Sequence, residues 1–164
     1  MNVVLCGMMG CGKTTIAQAI KNLYKKEVVD TDAEIVKKYG EISTIFEKYG
    51  EAHFRMIESQ TIRDISALDD VVISTGGGAV LNQTNVDNLK KNGKIFYLCA
   101  SEETLFARLC GDKTRPLLAG DLKERVHTIL TSRSPIYQSV ADYVIPTDDK
   151  SPEEIAKIIM EEMV

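Results

Sequence analysis

Gly7-Met8-Met9-Gly10-Cys11-Gly12-Lys13-Thr14 fits the phosphate-binding pattern G-x-x-x-x-G-K-[ST] at every constrained position. An apolar run at 2–6 precedes this stretch and predicts a buried strand, and the apolar spacing at 15–25 predicts a helix after it. A glycine-rich turn between a strand and a helix points backbone N–H groups at one spot, and the helix N-terminus adds positive partial charge. The stretch therefore predicts a binding site for nucleotide phosphates.

Two side chains of this loop have predicted roles. Lys13 would reach the β- and γ-phosphates, and the hydroxyl of Thr14 would hold Mg²⁺. A glycine-rich turn with a chance lysine is the alternative interpretation. The strand and helix predicted on either side disfavour it, because they supply the context that the phosphate site requires.

The composition is that of an ordinary globular protein. We expect residues 1–164 to form one domain, since 44% of them are apolar and 27% are charged. A net charge of −4 gives no support for a protein that binds nucleic acid or a membrane surface. The sequence contains no apolar run near the ~20 residues of a membrane span, and it enters a strand directly, so we expect neither a span nor a signal peptide.

The four cysteines and two histidines do not have metal-site spacing. Cys6 and Cys99 lie in apolar runs and are predicted to be core residues, whereas Cys11 belongs to the phosphate loop and Cys110 follows a helix. This usage is typical of a reducing cytoplasm. We interpret both His53 and His127 as structural or surface residues.

Strands and helices alternate along the chain. Apolar runs predict strands at 2–6, 28–29, 71–74, 94–99 and 141–146. Between them, helices are predicted at 15–25, 33–39, 41–49, 51–68, 85–91, from 101, at 121–137 and from 152. The helical spacing assigns Leu23, Tyr39, Tyr49, Thr61 and Leu68 to apolar faces. This alternation indicates an α/β fold with a parallel sheet covered on both faces, and such sheets bind ligands beyond the carboxyl ends of their strands.

Asp30 and Asp32 follow the second predicted strand at that edge. Residues two apart on an extended segment face the same way, so both carboxylates would approach the Mg²⁺-phosphate group. One would serve the metal through water, and the other would accept a proton from an attacking hydroxyl. The alternative is a helix N-cap with an acidic first turn. The neighbouring phosphate loop favours the functional interpretation.

Arg55 and Glu58 are three residues apart on a predicted helix and are therefore neighbours on one face. They fit a surface salt bridge, and they equally fit a carboxylate that holds a guanidinium in place to clamp an acidic substrate. Their spacing does not decide between the two. Arg133 is predicted near a helix end, where a cation needs no function.

Two further segments are candidates for ligand contact. Thr75-Gly76-Gly77-Gly78 ends a strand at the ligand edge, where three glycines suit close approach of a ligand, although a flexible turn is the alternative. The basic segment around Lys113 and Arg115, preceded by Arg108, suits a flap that closes over a phosphate-transfer site. A solvated surface loop is the alternative there.

Taken together, these motifs resemble those of the shikimate kinase family over nearly the whole chain. The resemblance rests on the following elements, in this order: GMMGCGKTT at 7–15, D-T-D at 30–32, G-E at 50–51 with Phe54, Arg55 and Glu58, T-G-G-G at 75–78, R-P-L-L at 115–118 and R-S-P-I-Y at 133–137. It implies a three-layer α/β/α P-loop fold with a five-stranded parallel sheet of order 2-3-1-4-5. It also implies a substrate-binding segment at about 31–60 and a lid at about 110–121. The implied reaction is ATP-dependent phosphorylation of shikimate at its 3-hydroxyl, in the chorismate pathway to aromatic amino acids, with Mg²⁺.

The resemblance also implies roles for individual residues. Catalytic roles fall to Lys13, Asp32 and Arg115. ATP binding is implied for Gly10, Cys11, Gly12, Lys13, Thr14, Thr15, Arg108, Arg115 and Pro152. Shikimate binding is implied for Asp32, Phe46, Phe54, Arg55, Gly76, Gly77, Gly78 and Arg133, with Glu58 orienting Arg55. Thr14 and Asp30 would serve the metal, Asp30 through water.

Three rival functions fit parts of the pattern. One is another small-molecule kinase of the same architecture, such as a gluconate kinase or a nucleotide kinase. A GTPase-like switch would need an N-K-x-D motif after a strand, whereas Ala100-Ser101-Glu102-Glu103 follows the fourth strand. A catalytically dead, nucleotide-binding paralogue is disfavoured because Lys13, Asp32, Arg115 and Arg133 are all present. We expect a cytoplasmic monomer whose ligands are ATP and shikimate.

Overall fold

The apolar runs form a parallel sheet in the computed structural model, which describes residues 1–110 and 121–164. The strands are β1 (Asn2–Cys6), β2 (Glu27–Asp30), β3 (Val71–Ser74), β4 (Gly93–Cys99) and β5 (Tyr143–Pro146). Their order is β2-β3-β1-β4-β5, and every neighbouring pair is parallel. Helices cover both faces, so the predicted three-layer α/β/α fold and strand order are confirmed.

The helices fill the intervals between the strands. They are α1 (Lys13–Tyr24), α2 (Thr31–Tyr39), α3 (Ile42–Tyr49), α4 (Glu51–Ser66), α5 (Gln83–Lys91), α6 (Glu102–Cys110), α7 (Leu122–Val140) and α8 (Pro152–Glu162), with a 3₁₀ turn at Ala79–Leu81. α1 packs against α8, and α4 against α5. In the parts of the chain described, no helix has the length and apolar character needed to cross a membrane.

Two apolar clusters hold these layers together. The larger surrounds β1, which is buried along its whole length because it has a neighbouring strand on each side and helices on both faces. The smaller consists of Ile35, Ile45, Phe54 and Ile57, and it joins α2, α3 and α4. It anchors the helices that carry Asp32, Arg55 and Glu58 beside the sheet edge.

Several predicted apolar faces were wrong at helix ends. Leu23, Tyr39, Tyr49 and Leu68 are exposed. The first three lie in the last turn of their helices, and α4 ends at Ser66, before Leu68. On α4 the buried position belongs to Ile62, while Thr61 is only half-buried. Periodicity assigns a face, but burial also requires a neighbouring element beside the final turn.

Some boundaries also differ from the predictions. α7 continues through Pro135 to Val140, so Arg133 lies within the helix and is not a terminal cation. β5 begins at Tyr143, two residues later than predicted. The start of α8 is as predicted: Pro152 occupies the first turn, and the Ser151 hydroxyl accepts the Glu154 N–H at 3.1 Å.

Candidate active site

The phosphate loop, Gly7–Thr14, has a fixed backbone that ends in a helix. Gly10 (φ 83°) and Gly12 (φ 100°) are in the left-handed region, which favours glycine, and α1 begins immediately afterwards at Lys13. The side chains of Met8 and Cys11 are buried in the main core, and the Cys11 N–H donates to the Met8 carbonyl at 3.1 Å. The loop is therefore held by both its backbone and its apolar side chains.

Lys13 turns its ammonium group back over this loop. Its Nζ donates to the carbonyl oxygens of Gly7 at 2.7 Å and Met8 at 3.2 Å. The positive charge is thus held beside the α1 N-terminus, where an anion would be stabilised.

A cavity of about 610 Å³ opens in front of the loop. Its walls include these predicted site residues: Gly10, Cys11, Gly12, Lys13, Thr14, Thr15, Asp30, Asp32, Gly76, Gly77, Arg108 and Pro152. Thr147 and Lys150 also line it, and sequence reasoning missed them. Both follow β5, so extending the rule of carboxyl strand ends to the last strand would have found them.

The aspartates reach this cavity by a geometry that differs from the predicted one. The predicted extended segment is wrong, because β2 ends at Asp30 and α2 begins at Thr31. Asp30 is the N-cap of α2, and its Oδ1 accepts the Ala33 N–H at 2.9 Å, while Asp32 lies in the first helical turn. Asp30 therefore both caps the N-terminus of α2 and lines the cavity.

The residues around the loop suit a magnesium ion carried by phosphates. Thr14 and Asp30 line the same cavity and supply the oxygen atoms that Mg²⁺ prefers. Within residues 1–110 and 121–164 there is no cluster of three or more His, Cys, Asp or Glu residues that could form an all-protein metal site. In nucleotide sites Mg²⁺ generally keeps several waters and is bound by one or two protein groups together with substrate phosphates.

Arg55 and Glu58 form a partly buried ion pair in which the carboxylate is buried and the guanidinium is partly exposed. Nη1 of Arg55 donates to Oε1 of Glu58 at 2.9 Å, and Glu58 is almost completely buried. Burial raises the pKa of the Glu58 carboxyl above its ordinary value, against the opposing effect of the Arg55 hydrogen bond. Asp32 and Arg133 also act on this pKa, so the four charged groups share one electrostatic environment.

Phe54 lies beside Arg55 and packs against Phe46. The ring centroids of Phe46 and Phe54 are 4.8 Å apart, and the guanidinium carbon of Arg55 lies 5.2 Å from the Phe54 centroid. Phe54 belongs to the smaller core cluster, whereas Phe46 is partly exposed. Phe54 can therefore support the Arg55 guanidinium by a cation–π contact.

Gly76, Gly77 and Gly78, which we call the glycine strip, pass close behind three charged side chains. A Cβ atom on Gly76 would lie 2.8 Å from Oδ1 of Asp32, and one on Gly78 would lie 2.6 Å from Nη1 of Arg55. A Cβ atom on Gly77 would lie 3.3 Å from Nη1 of Arg133. The strip thus brings together side chains from α2, α4 and α7, and the absence of side chains on it makes room for them.

Two hydrogen bonds between side chains and the strip help to fix it, and sequence reasoning did not identify either of them. The Gly76 N–H donates to Oγ1 of Thr31 at 2.9 Å, and the Tyr137 hydroxyl donates to the Gly77 carbonyl at 2.6 Å. Thr31 stands between the two aspartates, and Tyr137 ends the R-S-P-I-Y motif. The positions of Thr31 and Tyr137 inside these motifs were the only sequence feature that could have indicated a role for them at the site.

Arg108 lines the cavity beside the phosphate loop. Its Nη1 donates to the Gly10 carbonyl at 2.9 Å. Burial alone would raise the pKa of the nearby Asp148 carboxyl, but hydrogen bonds from Ser101 and Thr104 and the charge of Arg108 lower it overall. The predicted residues Lys113 and Arg115 fall in 111–120, outside the described residues.

The cysteines and histidines differ in their surroundings. Cys6 is buried, and this burial raises the pKa of its thiol to about 12. Cys99 is half-buried and packs against the main core from the last position of β4, so it lies at the border of the core rather than inside it. His127 is exposed, and its Nδ1 lies 2.7 Å from Oε1 of Glu102. The ring of His53 packs at a tilt against that of Tyr49, with centroids 4.8 Å apart.

Comparison with known proteins identifies the family of this chain. The family model described as shikimate kinase matches residues 9–164. The chain belongs to the shikimate kinase family. It is 45% identical to a shikimate kinase of Caldicellulosiruptor bescii over 97% of this chain and 93% of that one. It is 44% identical to a shikimate kinase of Thermodesulfovibrio yellowstonii over 98% of this chain and 94% of that one.

Solved shikimate kinase structures have the same fold. The shikimate kinase of Acinetobacter baumannii in complex with shikimate superposes with a TM-score of 0.89 at 36% identity, covering 99% of this chain and 92% of that chain. The enzyme of Bacteroides thetaiotaomicron gives a TM-score of 0.91 at 29% identity, covering 99% and 98%.

Proposed function

We propose that this protein transfers the γ-phosphoryl group of ATP to the 3-hydroxyl of shikimate, in the chorismate pathway to aromatic amino acids. The observation that carries the proposal is the glycine strip: it adjoins a phosphate-loop cavity and gathers one carboxylate and two arginines beside it. Shikimate is a small carboxylated polyol. Its recognition requires cations for the carboxylate and an acceptor for the hydroxyl hydrogen bonds, and Arg55, Arg133 and Asp32 supply these groups.

The nucleotide end holds the phosphates through backbone and one cation. The N–H groups of Gly10, Cys11, Gly12 and Thr15 would surround the phosphates, and the Lys13 ammonium would leave its loop carbonyls to contact the β- and γ-phosphates. Mg²⁺, bound with ATP, neutralises phosphate charge. Thr14 would hold it directly and Asp30 through water. Arg108 and Pro152 would enclose the adenine between them.

The acceptor end supplies orientation and a proton acceptor. Arg55, held by Glu58, and Arg133 bind the carboxylate, while Asp32 accepts the hydrogen bond of the 3-hydroxyl. Phe46 and Phe54 flank the ring. The hydroxyl oxygen forms the new bond to the γ-phosphorus, the bond to the β-phosphate oxygen breaks, and the hydroxyl proton passes to Asp32, leaving ADP and shikimate 3-phosphate.

Two predicted segments belong to this proposal. Residues 31–60 would form the acceptor-binding segment of a single domain covering 1–164. Arg115, in the segment predicted as a lid at 110–121, lies outside the described residues, and its proposed role is to stabilise charge on the transferring phosphoryl group. We further propose that the enzyme works as a cytoplasmic monomer.

A panel assay of ADP release tests the proposal. Wild-type protein is assayed with Mg²⁺-ATP and shikimate, gluconate, a nucleoside monophosphate or other hydroxylated acids. Shikimate should give by far the highest kcat/KM, and Arg55→Ala or Arg133→Ala should raise its KM steeply while leaving the KM for ATP unchanged. Faster turnover of gluconate or a nucleotide would overturn the proposal.

A further inference from the structure

Tyr137 connects the glycine strip to the helix that carries Arg133. It lies four residues after Arg133 on α7, so both side chains are on the same helical face. Its ring is completely buried in the main core, and its hydroxyl donates to the Gly77 carbonyl at 2.6 Å. A Cβ atom on Gly77 would contact both neighbours, at 3.3 Å from Arg133 Nη1 and 3.8 Å from the Tyr137 hydroxyl.

The chemistry of a phenol suits both neighbours at once. A tyrosine hydroxyl has one hydrogen to donate and lone pairs with which to accept. Since its hydrogen is directed to Gly77, its oxygen can accept from the Arg133 guanidinium beside it. Burial raises the pKa of Tyr137 to about 12, against the opposing charge and hydrogen bond of Arg133. The phenol therefore keeps its donor proton at any physiological pH.

We propose that Tyr137 is a positioning residue: its hydroxyl fixes the Gly77 carbonyl and the Arg133 guanidinium relative to each other and so sets Arg133 for the acceptor carboxylate. This inference rests on the proposed function, because it assumes that Arg133 binds that carboxylate. Tyr137 acts through its neighbours and does not itself touch the acceptor.

A second buried tyrosine separates this role from packing. The ring of Tyr97 on β4 lies 5.1 Å from that of Tyr137, and it is also buried in the main core. Its hydroxyl makes a long contact of 3.5 Å with the Ser134 hydroxyl and is not bonded to the strip. Tyr97→Phe therefore removes a buried hydroxyl from the same aromatic pair without removing the contact to Gly77, which makes it a matched control.

The test compares steady-state kinetics of Tyr137→Phe and Tyr97→Phe, with thermal unfolding as a check of folding. We expect Tyr137→Phe to raise the KM for shikimate about tenfold, the size of a lost hydrogen bond to a charged network, while kcat and the KM for ATP stay within about twofold. Tyr97→Phe should leave all three near wild type. In an Arg133→Ala background, Tyr137→Phe should add almost nothing, because the residue that it positions is gone.

The outcomes distinguish the two proposals. Wild-type protein that fails to phosphorylate shikimate overturns the proposed function and this inference with it. Two results overturn only the positioning role, provided that the wild-type protein phosphorylates shikimate. One is an equal KM for shikimate in Tyr137→Phe and Tyr97→Phe. The other is a tenfold loss from Tyr137→Phe that persists in the Arg133→Ala background. If Tyr137→Phe does not fold, Gly77→Ala disturbs the same contact from the other side. It should raise the KM for shikimate selectively, and an unchanged KM would again reject the inference.

Discussion

Gly12 in the phosphate loop and Gly78 in the glycine strip are both glycines, but for opposite reasons. Gly12 has a left-handed backbone, with φ of 100°, yet a Cβ atom there would meet nothing closer than 3.6 Å. Gly78 has an ordinary backbone, with φ of −96°, yet its Cβ atom would lie 2.6 Å from Nη1 of Arg55. The first position excludes side chains through backbone conformation, and the second through lack of space.

This difference describes how the two ends of the site are built. The nucleotide end is a contiguous loop whose backbone conformation supplies the N–H groups, so its design is local. The acceptor end consists of side chains from three separate helices that meet at one strip of backbone, so its design depends on tertiary packing. Substitutions at the two ends should therefore affect different substrates by different mechanisms.

The largest expected effect is at the nucleotide end. Lys13→Ala should lower kcat by about 10³-fold, because the proposed role of this cation is to stabilise charge on the transferring group. Shikimate binding, measured by titration calorimetry, should stay near wild type because Lys13 does not belong to the acceptor wall. Lys21→Ala, an exposed lysine on the same helix, is the control. Equal activity in Lys13→Ala and Lys21→Ala would refute the role of the loop lysine.

Gly12→Ala tests the conformational half of the comparison. A left-handed residue other than glycine costs about 1–2 kcal/mol, so urea unfolding should show a free energy of unfolding lower by about that amount. The KM for ATP should rise, by up to about 30-fold if the whole strain is relieved by distorting the loop. The KM for shikimate should change little. Wild-type stability together with wild-type ATP kinetics would contradict the conformational explanation.

Gly78→Ala tests the steric half. The backbone there accepts alanine, so the free energy of unfolding should be unchanged or higher by up to about 1 kcal/mol. The added methyl group must displace the Arg55 guanidinium, and we expect the KM for shikimate to rise about tenfold while the KM for ATP stays constant. A rise in both KM values, or a large loss of stability, would show that the substitution disturbs more than Arg55.

The smallest effect concerns the carboxylate behind Arg55. Burial raises the pKa of Glu58, so its contribution to stability is complete below its ordinary pKa of 4.5 and is lost as pH rises through the raised value. Glutamine does not titrate. The free energy of unfolding of Glu58→Gln minus that of wild type should therefore increase as pH rises above 4.5 and level off above the raised pKa of Glu58. In the same variant the KM for shikimate should rise about threefold, because Arg55 loses the charged partner that holds its guanidinium in place.

Glu51→Gln is the control for that experiment. Glu51 is an exposed acid whose Oε1 lies 3.7 Å from Nε of Arg55. Glu51→Gln therefore removes a negative charge near the same arginine but does not replace a buried carboxylate. A difference that is flat with pH in Glu58→Gln, or equally steep in Glu51→Gln, would contradict the assignment of the cost to burial.

The sequence predicted best what depends on neighbouring residues. The phosphate loop, β1 and the start of α8 were predictable because a few adjacent residues determine them. The resemblance of the motifs to a known family also implied the strand order, which the structure confirms. Asp30 and Asp32 were predicted at the right edge but in the wrong conformation, since a strand end followed by an acid fits both an extended segment and a helix cap.

Tertiary contacts account for what the sequence did not predict. The pairing of Arg55 with a buried Glu58 could not be separated from a surface salt bridge by spacing alone, because spacing does not report burial. The glycine strip was expected to admit a ligand, and its contacts with Asp32, Arg55 and Arg133 depend on helices far apart in the chain. The bonds of Thr31 and Tyr137 to the strip have the same origin.

A double-mutant cycle between Gly78 and Arg55 tests the central claim most directly. Shikimate kcat/KM is measured for wild type, Gly78→Ala, Arg55→Ala and the double variant. If Gly78 is glycine to make room for Arg55, the methyl group should cost about tenfold in wild type and almost nothing once Arg55 is alanine. If the methyl group costs the same tenfold without Arg55, it obstructs the acceptor itself, and the account of the strip as space for side chains is wrong.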